Sequence, residues 1–314
     1  MQARRAFTEV LGTELFWTEQ GQGRPLVLLH GLHDSHRTWR RVAPDLARTR
    51  RVISVDLPGH GLSGRPDASY ELAWHAEIIG GWMEALGLED VDLVGHSFGG
   101  GVAQWLLLEH RARVRRLALV SSGGLGREVA FGLRLLASSR IVERWGQPFL
   151  ALATRLAMSR FGASFDEEDV AALTWMHARP GTARALARTA RDVIDWRGQR
   201  RGMLDRAREI GELPPIALYW GDRDNVVPFA HGAAMERMID GVTLTRFAGC
   251  GHFPHHAHAE EFARALTGFL DAPDARPARI VSAPVVWRPP SPWRRAWSWV
   301  VGAFGRKPAA FAGN

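Results

Sequence analysis

Short apolar runs recur along the chain at residues 7–10, 15–18, 26–30, 52–56, 92–95, 114–120, 216–220 and 242–247. Bounded by glycine, proline and acidic turn residues, they predict strands. The stretches 100–110 and 259–270 place apolar residues every three or four positions and predict helices. Strand and helix alternating in this way predict an α/β protein with an eight-stranded, mostly parallel sheet covered by helices on both faces. Between 121 and 214 the alternation stops and the pattern becomes helical, with the acidic run 166–169 read as a helix start, where negative charge meets the positive end of the dipole. The chain therefore divides into a core over 1–122 and 213–274, a helical insertion over 123–212 and a tail over 275–314.

At 314 residues and 46% apolar content the chain can bury a large core. The tail holds seven of the 40 basic residues (Arg276, Arg279, Arg288, Arg294, Arg295, Arg306 and Lys307) and none of the 33 acids. It carries the whole net charge of +7, so the charge gives no ground for nucleic acid as a partner of the folded part. Pro277, Pro284, Pro289, Pro290 and Pro292 predict an extended linker over 275–292. Beyond it, a helix over 293–304 would gather Trp293, Trp297, Val300, Val301 and Phe304 on one side, a membrane-surface signature in a run too short to span a bilayer. Weak peripheral membrane contact through 293–304 and a tail that packs back or stays disordered both remain open. Residues 1–17 lack the apolar core of an export signal, and Cys250 is the only cysteine, so the expected location is cytoplasmic, peripheral at the inner membrane surface if the tail engages lipid.

Residues 95–99 read Gly-His-Ser-Phe-Gly, set between the run that ends at Val94 and the helical stretch that begins at Gly100. This is G-x-S-x-G at a strand-to-helix turn, where Gly95 and Gly99 permit a tight bend and Ser97 is presented for covalent attack. A serine nucleophile needs a base and an acid that orients the base. Of the 13 histidines, His75, His110, His177 and His231 fall in helical stretches and read as surface or capping residues. His252 lies instead on a glycine-rich loop after a strand and before the last helix, and is the candidate base. After the strand 216–220 come Asp222 and Asp224. The spacing Gly221-x-x-Asp224 puts Asp224 further out on its loop, while Asp222 is accounted for as a turn residue bonded to its own backbone, so Asp224 is preferred as the acid. His255, His256 and His258, with His30-x-x-His33-Asp34-x-His36, raise a zinc reading, but solvated histidines at a helix start account for the first group better, and no metal is expected. Cys250 has no base and orienter of its own once Ser97 is served.

The set resembles the α/β-hydrolase superfamily, whose nucleophile, acid and histidine follow in the order Ser97, Asp224, His252. The strand 26–29 running into His30-Gly31-Leu32 is similar to the family's His-Gly loop, and residues 56–63 resemble its Asp-x-Pro-Gly-x-Gly-x-Ser segment, which shapes the fold near the site. The resemblance implies an oxyanion hole made by the backbone N–H groups of Leu32 and Phe98, with His30, Gly31, Gly95 and Gly99 as supporting loop residues. It also implies that 123–212 is a cap domain over the pocket. Cap aromatics Phe131, Trp145, Phe149, Phe161, Phe165, Trp175 and Trp196 are expected chiefly to pack the cap onto the core, with an apolar acyl or aryl pocket as the alternative. The implied activity is that of a serine esterase: a hydrolase that cleaves a carboxylic ester or related acyl bond of a small apolar molecule through an acyl-enzyme, with no cofactor.

Haloalkane dehalogenases and epoxide hydrolases of this superfamily use an aspartate nucleophile, which Ser97 disfavours. The meta-cleavage carbon–carbon hydrolases usually show asparagine before the serine, where this chain has His96. Enol-lactonases, thioesterases and perhydrolases remain open on the same three residues. A non-catalytic binder of the same fold would have no need of Ser97, Asp224 and His252 together, and an interaction protein built around its tail would be revealed by the tail's deletion.

Overall fold

The computed structural model describes residues 3–158, 165–200, 202, 206, 213–273 and 275–281. Strands β1 (Arg4–Val10), β2 (Thr13–Gln20), β3 (Arg24–Leu29), β4 (Arg50–Val55), β5 (Val91–His96), β6 (Val114–Val120), β7 (Ile216–Gly221) and β8 (Thr243–Phe247) form one sheet in the order β1-β2-β4-β3-β5-β6-β7-β8. These are the eight predicted strands. β1 and β2 pair as a hairpin closed by Leu11 and Gly12, both at positive φ (47° and 73°), as a two-residue turn matched to strand twist requires. β2 runs antiparallel to β4, and from β4 to β8 every pairing is parallel.

The continuous apolar runs follow from burial on both faces. Along β3, Val27 and Leu29 pack with Ile79 and Trp82 of α2 (Leu72–Ala85) and Val102 and Leu106 of α3 (Phe98–Glu109). Leu26 and Leu28 point the other way, onto Leu46 of α1 (Ala43–Leu46) and Phe262 and Leu266 of α11 (Ala259–Asp271). Strand order reverses at β3, whose neighbours are β4 and β5, and such a switch point opens a crevice at the carboxyl ends of the strands. The His30-Gly31-Leu32 loop leaves β3 there, and Ser97 follows β5 directly.

Between β6 and β7 lie α4 (Phe131–Ser138), α5 (Ile141–Trp145), α6 (Gln147–Met158), α7 (Glu167–Ala178) and α8 (Thr182–Val193), and after β7 come α9 (Phe229–Met238) and α10 (Pro254–Ala257). The acidic run does start a helix: the Asp166 side chain accepts the Asp169 N–H at the head of α7. That end is tied to the core by Arg40, which reaches both Asp166 and Asp169, while Arg65 donates to the Thr182 hydroxyl (2.8 Å) and the Leu72 N–H to Asp192 (2.8 Å).

Two expectations need correction. Phe131, Trp145, Phe149, Trp175 and Trp196 are between 53 and 68% exposed, so they pack nothing onto the core; Phe165 alone of the described set is buried, and Phe161 lies outside the described residues. The expected linker also begins too early, because Arg279–Ile280 pairs antiparallel with Ile239–Asp240 and Ala278 is buried, which carries the folded unit to Val281. The expected helix over 293–304 and its membrane contact lie outside the described residues. Among the described residues no helix is long and apolar enough to cross a membrane.

Candidate active site

Ser97 sits between β5 and α3 with φ 51° and ψ −116°, a backbone conformation that a residue with a side chain adopts only under strain. The turn holds because its own amide donates to Val120 O (2.9 Å), while Ser97 O accepts from Gly100, Gly101 and Gly123. Glycine is required on either side: a Cβ at Gly95 would lie 2.4 Å from Gly99 O, and one at Gly99 would lie 2.3 Å from His30 O. The second contact presses the β3 loop against the serine turn. His30 fixes that loop from below. Its Nε2 accepts the Leu57 N–H (2.9 Å), so Nδ1 carries the hydrogen and donates to Gly31 O (2.8 Å), and burial lowers its pKa to about 4, which keeps it neutral. Among the described residues nothing accepts from the Leu32 or Phe98 N–H, and Ser97 Oγ makes no hydrogen bond.

The segment after β4 supports the same region. Gly61, at φ 49°, passes so close to the Asp56 carboxyl that a Cβ would lie 2.1 Å from it, while Asp56 accepts the Leu62 N–H (2.7 Å) and Ser63 Oγ donates to Asp56 O (2.6 Å).

Asp224 and His252 come from the loops after β7 and β8. His252 Nδ1 lies 2.8 Å from Asp224 Oδ2, and Asp224 Oδ1 accepts the N–H groups of Val226 (2.8 Å) and Val227 (2.9 Å). Both oxygens are thus committed, which locks the carboxylate in orientation. Asp222 bonds elsewhere: it accepts from Arg246 (2.6 Å) and from the Gly249 N–H (2.7 Å), so it braces the β8 loop, and its expected bond to its own backbone is replaced by these. Burial pushes the Cys250 thiol up to about 11 and keeps it protonated.

Several histidines are not where the sequence suggests. His75, His177, His231, His255 and His256 are buried, whereas His110 does sit as a cap, at the end of α3. His255 and His256 both bring Nε2 to 2.9 Å from Thr38 Oγ1, so they are core residues and not a solvated helix start. His96, the residue before the serine, donates from Nε2 to His252 O (3.0 Å) and so holds the backbone of the candidate base. Sequence carries no signal of that contact. His33 and His177 stack at 3.4 Å and both bond Thr154 Oγ1 (2.8 and 2.9 Å), joining the β3 loop to α6 and α7.

Two chambers meet at Ser97. The larger, about 470 Å³, is lined by His252, Phe253, His33, Asp34 and the apolar Met158, Phe165, Leu173 and Leu186. The smaller, about 60 Å³, is lined by Leu72, Phe98, Gly123, Val129, Ile194 and Val227. Leu32, Ser97 and Leu133 belong to both.

A family model described as the alpha/beta hydrolase fold matches residues 24–259. The chain belongs to the α/β-hydrolase fold family. This α/β hydrolase is 34% identical over 275 residues to an uncharacterised protein of Mycobacterium tuberculosis, an alignment that covers 84% of the chain and 80% of the relative. It is 32% identical over 267 residues to a 2-hydroxymuconate semialdehyde hydrolase of a Pseudomonas species, covering 82% and 90%. A solved serine hydrolase involved in carbazole degradation superposes with a TM-score of 0.72 at 25% identity, over 86% of this chain and 99% of that one. Family and relatives together support hydrolase activity for the chain, and the named degradative relatives act on small molecules.

Proposed function

We propose that this α/β hydrolase is a serine hydrolase that cleaves a carboxylic ester or related acyl bond of a small, largely apolar substrate through an acyl-enzyme. The observation that carries the reading is that Ser97 and an Asp224-held His252 open on one cavity beside two unclaimed backbone N–H groups. Ser97 Oγ attacks the carbonyl carbon and its proton passes to His252 Nε2. The carbonyl oxygen becomes an oxyanion that accepts from Leu32 and Phe98, where one such donor is typically worth on the order of 10² to 10³ in rate. The C–O bond then breaks, His252 Nε2 gives its proton to the departing alkoxide, and a water activated by the same nitrogen hydrolyses the acyl-enzyme. Asp224 keeps the hydrogen on Nδ1 throughout. Helices α4–α8, with Phe165 just ahead of α7, act as a cap that roofs the larger chamber through Met158, Phe165, Leu173 and Leu186.

The position of His252 supports a division of labour between the chambers. The leaving group must lie where His252 can protonate it, in the larger chamber, which leaves the smaller one for the acyl group. At about 60 Å³ against about 470 Å³ it is much the tighter of the two and suits a short acyl group better than a long one. In a panel of esters, kcat/KM is expected to fall about tenfold or more between butanoate and octanoate, while lengthening the alcohol of acetate esters raises it. A preference for octanoate would reverse the assignment.

A carbon–carbon bond hydrolase on the same residues is the second reading, supported by the 2-hydroxymuconate semialdehyde hydrolases among the relatives. His96 in place of the asparagine usual in that branch weighs against it. Turnover of a dienoate ring-cleavage product faster than of any ester in the panel would favour it.

A further inference from the structure

Thr154 is buried on α6, and its hydroxyl is fully used: it donates to Leu150 O (2.8 Å), and His33 Nε2 (2.8 Å) and His177 Nδ1 (2.9 Å) both reach it. A hydroxyl has one hydrogen and two lone pairs, so both imidazoles donate to it. Their rings lie almost flat on one another, with centroids 3.4 Å apart and planes inclined by 18°. One side chain of α6 and one of α7 thus grip His33, a residue of the loop that leaves β3.

His33 directly follows Leu32. It stands at φ 59°, in the left-handed region where a residue with a Cβ stays only if its surroundings impose it. Among the described residues neither the N–H nor the C=O of Leu32 or His33 is hydrogen-bonded, so the main chain does not hold this turn. Side chains do. Before the turn, His30 is bonded to the Leu57 N–H, and Gly31 comes so near the serine turn that a Cβ there would lie 3.3 Å from Ser97 Cβ. After it, the His33 ring is fastened to Thr154, and the Leu32 side chain packs with Leu136 of α4 and Leu150 of α6. Leu32 is therefore strung between an anchor in the core and an anchor in the inserted helices.

We propose that Thr154 and His33 are positioning residues: through their contact, α6 and α7 set the Leu32–His33 turn and with it the place of the Leu32 N–H that receives the oxyanion. The helices over the larger chamber then help to stabilise the tetrahedral intermediate as well as to enclose the substrate. The inference rests on the serine-hydrolase reading for the role of the Leu32 N–H.

Thr154→Val keeps the shape of the side chain and removes the hydroxyl. For pentyl acetate, kcat is expected to fall about tenfold or more with KM held within about twofold, because only the transition state uses the Leu32 N–H. Thr154→Ser, which keeps the hydroxyl, recovers kcat. Trifluoromethyl pentyl ketone reads the oxyanion itself: Ser97 Oγ adds to its carbonyl carbon, the hydroxyl proton passes to His252, and the carbonyl oxygen takes the negative charge with no group leaving. Its Ki should rise about tenfold in Thr154→Val, whereas the affinity of Ser97→Ala for pentyl acetate should be the same with and without Thr154→Val. His33→Gly, which tolerates the positive φ and lacks the imidazole, is expected to lose kcat to a similar extent and carries the test if the valine variant does not fold. Crystal structures of the parent and of either variant compare the Leu32–His33 turn without turnover. A parent that neither hydrolyses the ester nor binds the ketone would thus sink the serine reading, while the turn still shows whether α6 holds it. A clasp that only stabilises the fold would lower the melting temperature and leave kcat and ketone affinity at the parent values. That result, or a Leu32–His33 turn unmoved in the variants, overturns the proposal.

Discussion

Replacing Ser97 by alanine is expected to lower kcat for ester hydrolysis on the order of 10⁴- to 10⁶-fold, because the variant has no atom to carry the acyl group. The loss should come without loss of fold. Ser97 holds the turn through its backbone amide and carbonyl, and its hydroxyl makes no hydrogen bond among the described residues, so alanine removes only the nucleophile. Its unusual φ and ψ remain, since they are imposed by Gly95, Gly99 and the neighbouring β3 loop. Circular dichroism and the thermal transition should match the parent while turnover disappears. Parental turnover by the alanine variant would remove Ser97 from the chemistry.

The second large effect is expected at Asp224. In Asp224→Asn the side-chain carbonyl must take the Oδ1 position, because only an acceptor can face the Val226 and Val227 N–H groups. The amide NH₂ is then turned toward His252 Nδ1, 2.8 Å away, and forces that nitrogen to accept. The ring hydrogen moves to Nε2, the atom that has to take the serine proton, and kcat falls about 10⁴-fold. Asp222→Asn loses only its pairing with Arg246 and should leave kcat close to the parent value, since Asp222 touches neither His252 nor the cavity. Steady-state kinetics of the two variants separate the roles, and the reverse pattern would transfer the acid to Asp222.

Much of this arrangement was legible because it is local in sequence. Strands buried on both faces leave continuous apolar runs, and each candidate residue follows such a run by a few positions, so Ser97, Asp224 and His252 could be read from loop context and order. The preference for Asp224 over Asp222 came from spacing, whereas the bonds that occupy Asp222, to Arg246 and Gly249 across the β7–β8 edge, are tertiary facts. Contacts between distant residues left no trace. His96 and His252 are 156 positions apart, and nothing in either neighbourhood announces that one holds the other's carbonyl. The aromatics of the insertion misled for the opposite reason: apolar spacing predicts a packed face, and α4–α7 carry several such residues outward.

The claim that Ser97 is the nucleophile activated by His252 and Asp224 is tested most directly by reacting the full chain with a fluorophosphonate and mapping the adduct by peptide mass spectrometry. The account predicts a single adduct on Ser97, formed rapidly in the parent, slowed by orders of magnitude in Asp224→Asn and absent in Ser97→Ala. An unlabelled parent protein, or an adduct on any other residue, would contradict it.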